Sequence, residues 1–329
     1  MNLLWLQSGG CGGCSQSLLG AEAPDVFTLL DGLGVRLLWH PSLSAQDGGD
    51  LLSLLKRIVA GEETLDVLCL EGAVLRGPNG TGRFHQLAGS ERPMMDWIAD
   101  LASRARHVMA VGSCAAYGGI TSGGGNPTEA CGLQYDAAAS GGLLGGEFRA
   151  GDGLPVINVA GCPIHPNWFT DTLAQLAMKT LTNDALDELG RPRSYADHLV
   201  HHGCPRNEFY EFKASGNKPS DLGCMMEHLG CLGTQAHGDC NIRLWNGEGS
   251  CLRGGAPCIN CTAPEFEEPG HPFGETPKVA GIPIGLPTDM PKAWFVALAS
   301  LSKAATPRRL KENAASDHIR VPPGIRDKG

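Results

Sequence analysis

Cysteine placement constrains this chain more than any other feature of its sequence. "LQSGGCGGC" puts Cys11 and Cys14 directly after the apolar run Leu3 to Leu6, "AVGSCAAYGG" puts Cys114 after His107 to Val111, and "VAGCPIHP" puts Cys162 after Pro155 to Val159. Short apolar runs of this kind, with Val35 to Trp39 and Leu65 to Leu70 between them, are the signature of strands buried on both faces. Helical stretches alternate with them. One takes Asp50 as N-cap, carries Leu51, Leu54, Leu55, Ile58 and Val59 on one face and stops at Gly61. Another has Pro93 near its start and buries Met94, Trp97, Ile98, Leu101 and Ala105. The alternation predicts an α/β fold, a flavodoxin-like parallel sheet with helices on both faces. Ligands of such sheets collect beyond the carboxyl ends of the strands, so Cys11, Cys14, Cys114 and Cys162 can converge on one point at the sheet edge. The glycines around them let backbone approach closely and leave N–H groups to face an anionic group. Four thiolates suit an iron–sulfur cubane or one zinc ion, and the spacing does not choose between them.

After about residue 190 the strand and helix pattern fades into a stretch dense in Cys, Gly, Pro and His, as in regions that fold around something other than their own side chains. "HHGCPRNEF" offers His201 and Cys204, and "GCMMEHLGC" offers Cys224 and Cys231. "GDCNIRLWNGEGSCLRGGAPCINC" then offers Cys240, Cys251, Cys258 and Cys261. Three sets of four use eleven of the thirteen cysteines and one histidine. Three such sites in a row suit the carriage of electrons better than they suit structure alone.

The rest of the composition narrows the partners. A net charge of −9 argues against nucleic acid or an anionic membrane, and an aromatic share of 6% against stacked-base recognition. The longest apolar runs near the C-terminus, such as Trp294 to Ala299, are too short to span a bilayer. The first cysteine motif stands too early for an export leader, so a cytoplasmic protein is expected, and cysteines in a reducing compartment are metal ligands rather than disulfides. "RGPNGTG" and "SGGGNP" lack the lysine and the glycine frame of phosphate-binding loops. The expected organisation is a flavodoxin-like domain over 1–190, a mostly irregular, cysteine-rich iron–sulfur domain over 191–280 and a C-terminal extension over 281–329.

The series C-x-x-C, G-S-C-A-A-Y-G-G, G-C-P, H-x-x-C and the two later cysteine groups, in this order, resembles the small subunit of nickel–iron hydrogenases to about residue 300. The resemblance implies a proximal cluster on Cys11, Cys14, Cys114 and Cys162, a distal cluster on His201, Cys204, Cys224 and Cys231, and a medial cluster on Cys240, Cys251, Cys258 and Cys261. It places the nickel–iron centre in a separate large subunit, so no catalytic residue is expected here. Typical members of the family have a proline where Cys251 stands and a medial 3Fe-4S cluster. A fourth thiolate therefore predicts three 4Fe-4S clusters, the medial one lower in potential than is usual. Gly13 and Gly119 stand where oxygen-tolerant members carry two extra cysteines, which implies an ordinary proximal cubane. Cys224 and Cys231 are separated by six residues rather than the usual five.

"VLCLEGAVLRGPNGTGRFH", "HPSLS", "GCMMEHLGC" and "IPIGLPTDMPKAWFVALASLSKAATP" resemble the cytoplasmic hydrogen-sensing hydrogenases. That resemblance implies electron transfer towards a sensor histidine kinase and pairing with a second small subunit. The competing readings are an uptake hydrogenase feeding a respiratory acceptor, a zinc-structured scaffold, and the related cluster-bearing subunit of respiratory NADH dehydrogenases. The last normally has adjacent cysteines in its first loop and lacks the cysteine-rich second half.

Individual residues carry plainer readings as well. Cys69, inside "LDVLCLEG", reads as a buried core thiol, and Cys131 as an inert cysteine of a polar loop. Glu71, just past a strand end, reads as a loop carboxylate binding backbone N–H groups; the resemblance puts it beside the proximal cluster. His201 stands out from the other histidines because its cysteine set is one ligand short. His198 and His202 read as neighbours or surface, and His165 and His228 as structural. The basic tail around Arg308 reads as a solvated end.

Overall fold

The computed structural model describes residues 1–279, 282–283 and 292–324. The chain forms two compact units, Met1–Ala196 with Cys261–Glu268, and Asp197–Asn260 with Pro269–Gly329.

In the first unit, β1 (Asn2–Gln7), β2 (Arg36–Trp39), β3 (Val67–Glu71), β4 (His107–Val111) and β5 (Ile157–Val159) pair in parallel in the order β2-β1-β3-β4-β5. This is the doubly wound order expected from the alternation. Leu3 pairs with Val67, Val67 with His107 and Met109 with Ile157, so the carboxyl ends of the strands lie along one edge. The connecting helices are α1 (Gly13–Leu19), α2 (Val26–Gly32), α3 (Gly48–Ala60), α4 (Met94–Arg104), α5 (Ser113–Tyr117) and α6 (Pro166–Ala177).

Strand alternation sends Leu4, Leu6, Leu68, Leu70, Val108 and Ala110 into one core with Leu55 and Ile58 of α3 and Ile98 and Leu101 of α4. On the opposite face Trp5 meets Phe169 of α6, ring centroids 5.3 Å apart. Each such buried side chain contributes roughly 1.5–3 kcal/mol, so this unit carries its own core without a cofactor.

Two local expectations change. Helix α3 is capped by Asp47, whose Oδ1 accepts from the Gly49 and Asp50 amides at 2.8 and 2.9 Å; Asp50 sits inside the first turn. Cys131 is fully buried in a two-residue strand, Ala130–Cys131, paired with Val74–Leu75, rather than lying in a polar loop. Cys69 is buried in β3.

The second unit is largely turns, with the short α7 (Asn207–Glu211), α8 (Lys292–Ala305) and α9 (Arg308–Ala314). Its main apolar cluster is small, Val200, Met225, Leu229, Ala236, Leu252 and Cys258, with Cys204, Cys231 and Cys240 against it. Cysteines thus take positions that larger side chains hold elsewhere. The basic tail is not a solvated end: Leu310 of α9 is fully buried against Ala214, Phe209 and Phe212, and Arg309 pairs with Glu208. Helix α8 leaves Trp294 and Leu301 each 68% exposed. Among the described residues no helix is long and apolar enough to cross a membrane.

Candidate metal centres

The strand order reverses between β1 and β3, and the first group of cysteines gathers at that end of the sheet. Cys11 and Cys14 follow β1, Cys114 opens α5 after β4, and Cys162 follows β5 by three residues. The four thiols act on one another electrostatically, Cys14 with Cys114 and Cys162, and Cys11 with Cys114 and Cys162. Burial pushes the Cys14 thiol far up and Cys162 to about 12, with the neighbouring thiols adding to both. Such thiols ionise when a metal supplies the opposing charge.

The backbone makes room for them. Gly112, at φ 90°, would place a Cβ 2.6 Å from Cys14 Sγ, and Gly119, at φ 51°, one 3.1 Å from Cys114 Sγ. Any side chain there would occupy the space beside the sulfurs.

Glu71, at the end of β3, is buried and fully engaged. Its Oε1 accepts from the Cys14 and Ser15 amides at 2.9 and 3.0 Å. Its Oε2 accepts from Ser15 Oγ at 2.5 Å and from Trp5 Nε1 and Gln7 Nε2 at 3.2 Å. Behind Ser15, His40 Nδ1 accepts from the Ser42 amide at 3.0 Å, which leaves Nε2, 3.3 Å from Ser15 Oγ, as the N–H. The carboxylate therefore ties β3 to the turn that carries Cys14, and it brings a negative charge next to the thiols.

The second unit brings His201, Cys204, Cys224 and Cys231 around one cavity, with Arg206 and Tyr210 also in its wall. The Arg206 amide donates to Cys204 Sγ at 3.4 Å and the Met226 amide to Cys224 Sγ at 3.5 Å. Burial raises Cys204 and Cys231 and pushes Cys224 to about 12, while the Arg206 cation opposes the first two shifts and Lys213 the third. Burial lowers His201, favouring the neutral ring a metal needs. That ring meets Tyr210 edge-on at 4.3 Å, and Lys213 Nζ sits 3.7 Å from the Tyr210 ring centroid.

Of the third set, Cys240 and Cys258 belong to the small core of the second unit, Cys251 is exposed, and Cys261 lies in the first unit, close enough to Cys162 to raise its thiol further.

The soft thiolate donors and the space the glycines leave beside Cys14 and Cys114 suit iron–sulfur clusters.

Sequence reasoning missed Ser15 and His40 behind Glu71, the cations Arg206 and Lys213, and Ser113. Ser113 and Arg206 stand one and two residues from a cysteine in the quoted motifs, the only signal they gave.

A doubly wound sheet with thiols beyond its strand ends, followed by a thiol- and imidazole-lined cavity, is the arrangement expected of an iron–sulfur electron-transfer subunit. Residues 11–176 match the family described as NADH ubiquinone oxidoreductase, 20 Kd subunit, and residues 196–274 match the C-terminal region of NiFe/NiFeSe hydrogenase small subunits. The chain belongs to the nickel–iron hydrogenase small-subunit family, whose members carry iron–sulfur clusters. It is 36% identical over 293 residues to the F420 non-reducing hydrogenase II small subunit of Methanosarcina mazei, covering 82% of this chain and 74% of that one. It is 32% identical over 293 residues to the periplasmic [NiFeSe] hydrogenase small subunit of Desulfomicrobium baculatum, covering 82% and 86%. Among solved structures, the actinobacterial-type NiFe-hydrogenase from Ralstonia eutropha H16 superposes with a TM-score of 0.76 at 30% identity, covering 94% of this chain and 92% of that one.

Proposed function

We propose that this subunit accepts electrons from dihydrogen oxidised in a partner large subunit and passes them through three 4Fe-4S clusters for hydrogen sensing in the cytoplasm. Cys11, Cys14, Cys114 and Cys162 hold the proximal cluster, with Glu71 beside it. Cys240, Cys251, Cys258 and Cys261 hold the medial one, and His201, Cys204, Cys224 and Cys231 the distal one. The acceptor is a sensor histidine kinase, and a second small subunit completes a dimer of heterodimers. The observation that carries the electron-transfer reading is the gathering of His201, Cys204, Cys224 and Cys231 around one cavity. The sensing role rests on the sequence runs that resemble hydrogen sensors.

A second reading is an uptake hydrogenase small subunit feeding a respiratory acceptor. It is favoured by relatives that are named as hydrogenases rather than as sensors.

Iron and sulfide analysis with electron paramagnetic resonance of the purified heterodimer tests the cluster assignment. About twelve irons in this chain and no 3Fe-4S signal after gentle oxidation are expected. A stoichiometric 3Fe-4S signal would make Cys251 idle, and zinc in place of iron would overturn the redox reading. Slow turnover with phosphate transfer from a kinase supports sensing, whereas fast turnover with a respiratory acceptor selects the second reading.

A further inference from the structure

Ser113 joins backbone segments that carry three of the cysteines. It precedes Cys114 and is 1% exposed. Its amide donates to the Gly161 carbonyl at 3.0 Å, and its Oγ accepts from the Gly161 amide at 2.9 Å, so the residues preceding Cys114 and Cys162 are locked reciprocally. The hydroxyl proton then goes to the Cys261 carbonyl at 2.5 Å. All these groups lie in the first unit. Arg191, which Asp187 holds at 2.7 Å, donates to the next carbonyl, that of Thr262, at 3.1 Å, so residues 261 and 262 are anchored at two successive peptides.

We propose that Ser113 is the positioning residue that couples the proximal ligand set to Cys261, and that its hydroxyl is the bridge over which electrons leave that set. The inference rests on the assignment of Cys261 to the medial cluster. From Cys114 to Cys261 the route through the Ser113 side chain is covalent except at one hydrogen bond. From Cys162 it needs two, Gly161 N–H to Oγ and Oγ–H to the Cys261 carbonyl. In the transfer, one electron is lost by the group on Cys11, Cys14, Cys114 and Cys162 and one is gained by the group on Cys261. No proton crosses, because the hydroxyl keeps its own. A buried hydroxyl with a single remaining acceptor is held in one orientation, and that makes it a defined bridge rather than a fluctuating one.

The competing route is a direct jump between Cys162 and Cys261, whose thiols interact electrostatically. The test compares wild type, Ser113→Ala and Ser113→Thr as heterodimers with the large subunit, scoring only fractions with full iron and unaltered cluster signals. Cluster midpoints come from redox titration, and rates from freeze-quenched resonance spectra after mixing with dihydrogen. In Ser113→Ala, reduction of the proximal group should keep its rate while reduction of the next slows several-fold, with midpoints unmoved and the Gly161 amide exchanging faster. Ser113→Thr, which keeps the hydroxyl, should restore the rate. A fully loaded Ser113→Ala that transfers at the wild-type rate overturns the bridge and leaves the cluster assignment standing. Loss of the cluster signals in wild type itself overturns the assignment instead. If Ser113→Ala loads no iron, Ser113→Val, which keeps the shape of Thr without its hydroxyl, takes its place: transfer to the second group slower than in Ser113→Thr supports the bridge, and an equal rate removes it.

Discussion

In the first unit the cysteines hang from the ends of a five-stranded sheet and face a buried carboxylate; in the second they line a cavity among turns and face two cations. Burial raises the thiols of Cys14, Cys204, Cys224 and Cys231; Glu71 adds to the rise at Cys14, whereas Arg206 opposes it at Cys204 and Cys231, and Lys213 at Cys224. A negative charge disfavours an added electron on a neighbouring cluster, and a positive charge favours it. With clusters bound as proposed, Glu71 is expected to make electrons less welcome at the first site, and Arg206 and Lys213 to make them more welcome at the second. The two units also differ in what holds them. The sheet has a core of its own, while in the second unit partly buried cysteines complete a small one.

The largest expected effect separates the units by what they need. Stripping iron with a chelator should lower amide-exchange protection across residues 197–260 by about two powers of ten, while strands β1, β3 and β4 keep theirs. Mass-spectrometric hydrogen exchange reads this directly, and equal loss in both units would break the comparison. Next come the potentials. Glu71→Gln should raise the midpoint of the first site, and Arg206→Gln should lower that of the second, each by on the order of 50 mV. Arg206→Lys, which keeps the charge, should move it less. Shifts of the same sign in a redox titration would sink the electrostatic contrast.

The smallest effect is confined to the sheet. His107 opens β4 with Nδ1 2.6 Å from Asp152 Oδ2, and burial lowers its pKa in spite of that carboxylate. The unfolded chain takes up a proton near the ordinary value of about 6.5 that the folded unit resists. Stability supplied by the neutral ring is present above that value and is lost as the pH falls through the window below it. Thermal melts across that range should show a steeper loss for wild type than for His107→Gln; parallel curves would remove His107 as the cause.

How much of this could be read beforehand follows the same division. All five strands were legible because continuous apolar runs between glycine-rich loops have few other meanings, and β4 falls where His107 to Val111 placed it. The start of α3 was not, because Asp47 and Asp50 both offer a capping oxygen and only the fold shows which one the Gly49 amide meets. Cys131 reads as polar from its neighbours, yet its strand pairs with Val74–Leu75, a contact no local pattern carries. The tail was misread for a related reason. Four cations around Leu310 masked one apolar residue whose burial anchors α9. The cysteine motifs show which atoms could bind metal, whereas Glu71, Arg206 and Lys213, which set the charge around them, act through contacts formed only on folding.

The first unit includes both Ala196 and Cys261. The intervening chain, residues 197–260, is therefore a loop whose two ends are held once the sheet has folded, with the far end pinned through Arg191 and Ser113. The entropic cost of closing a loop grows only slowly with its length, and here folding of the sheet has already met it. A tethered loop confines its cysteines to a small volume, so they meet incoming iron at a higher effective concentration than a free tail would offer.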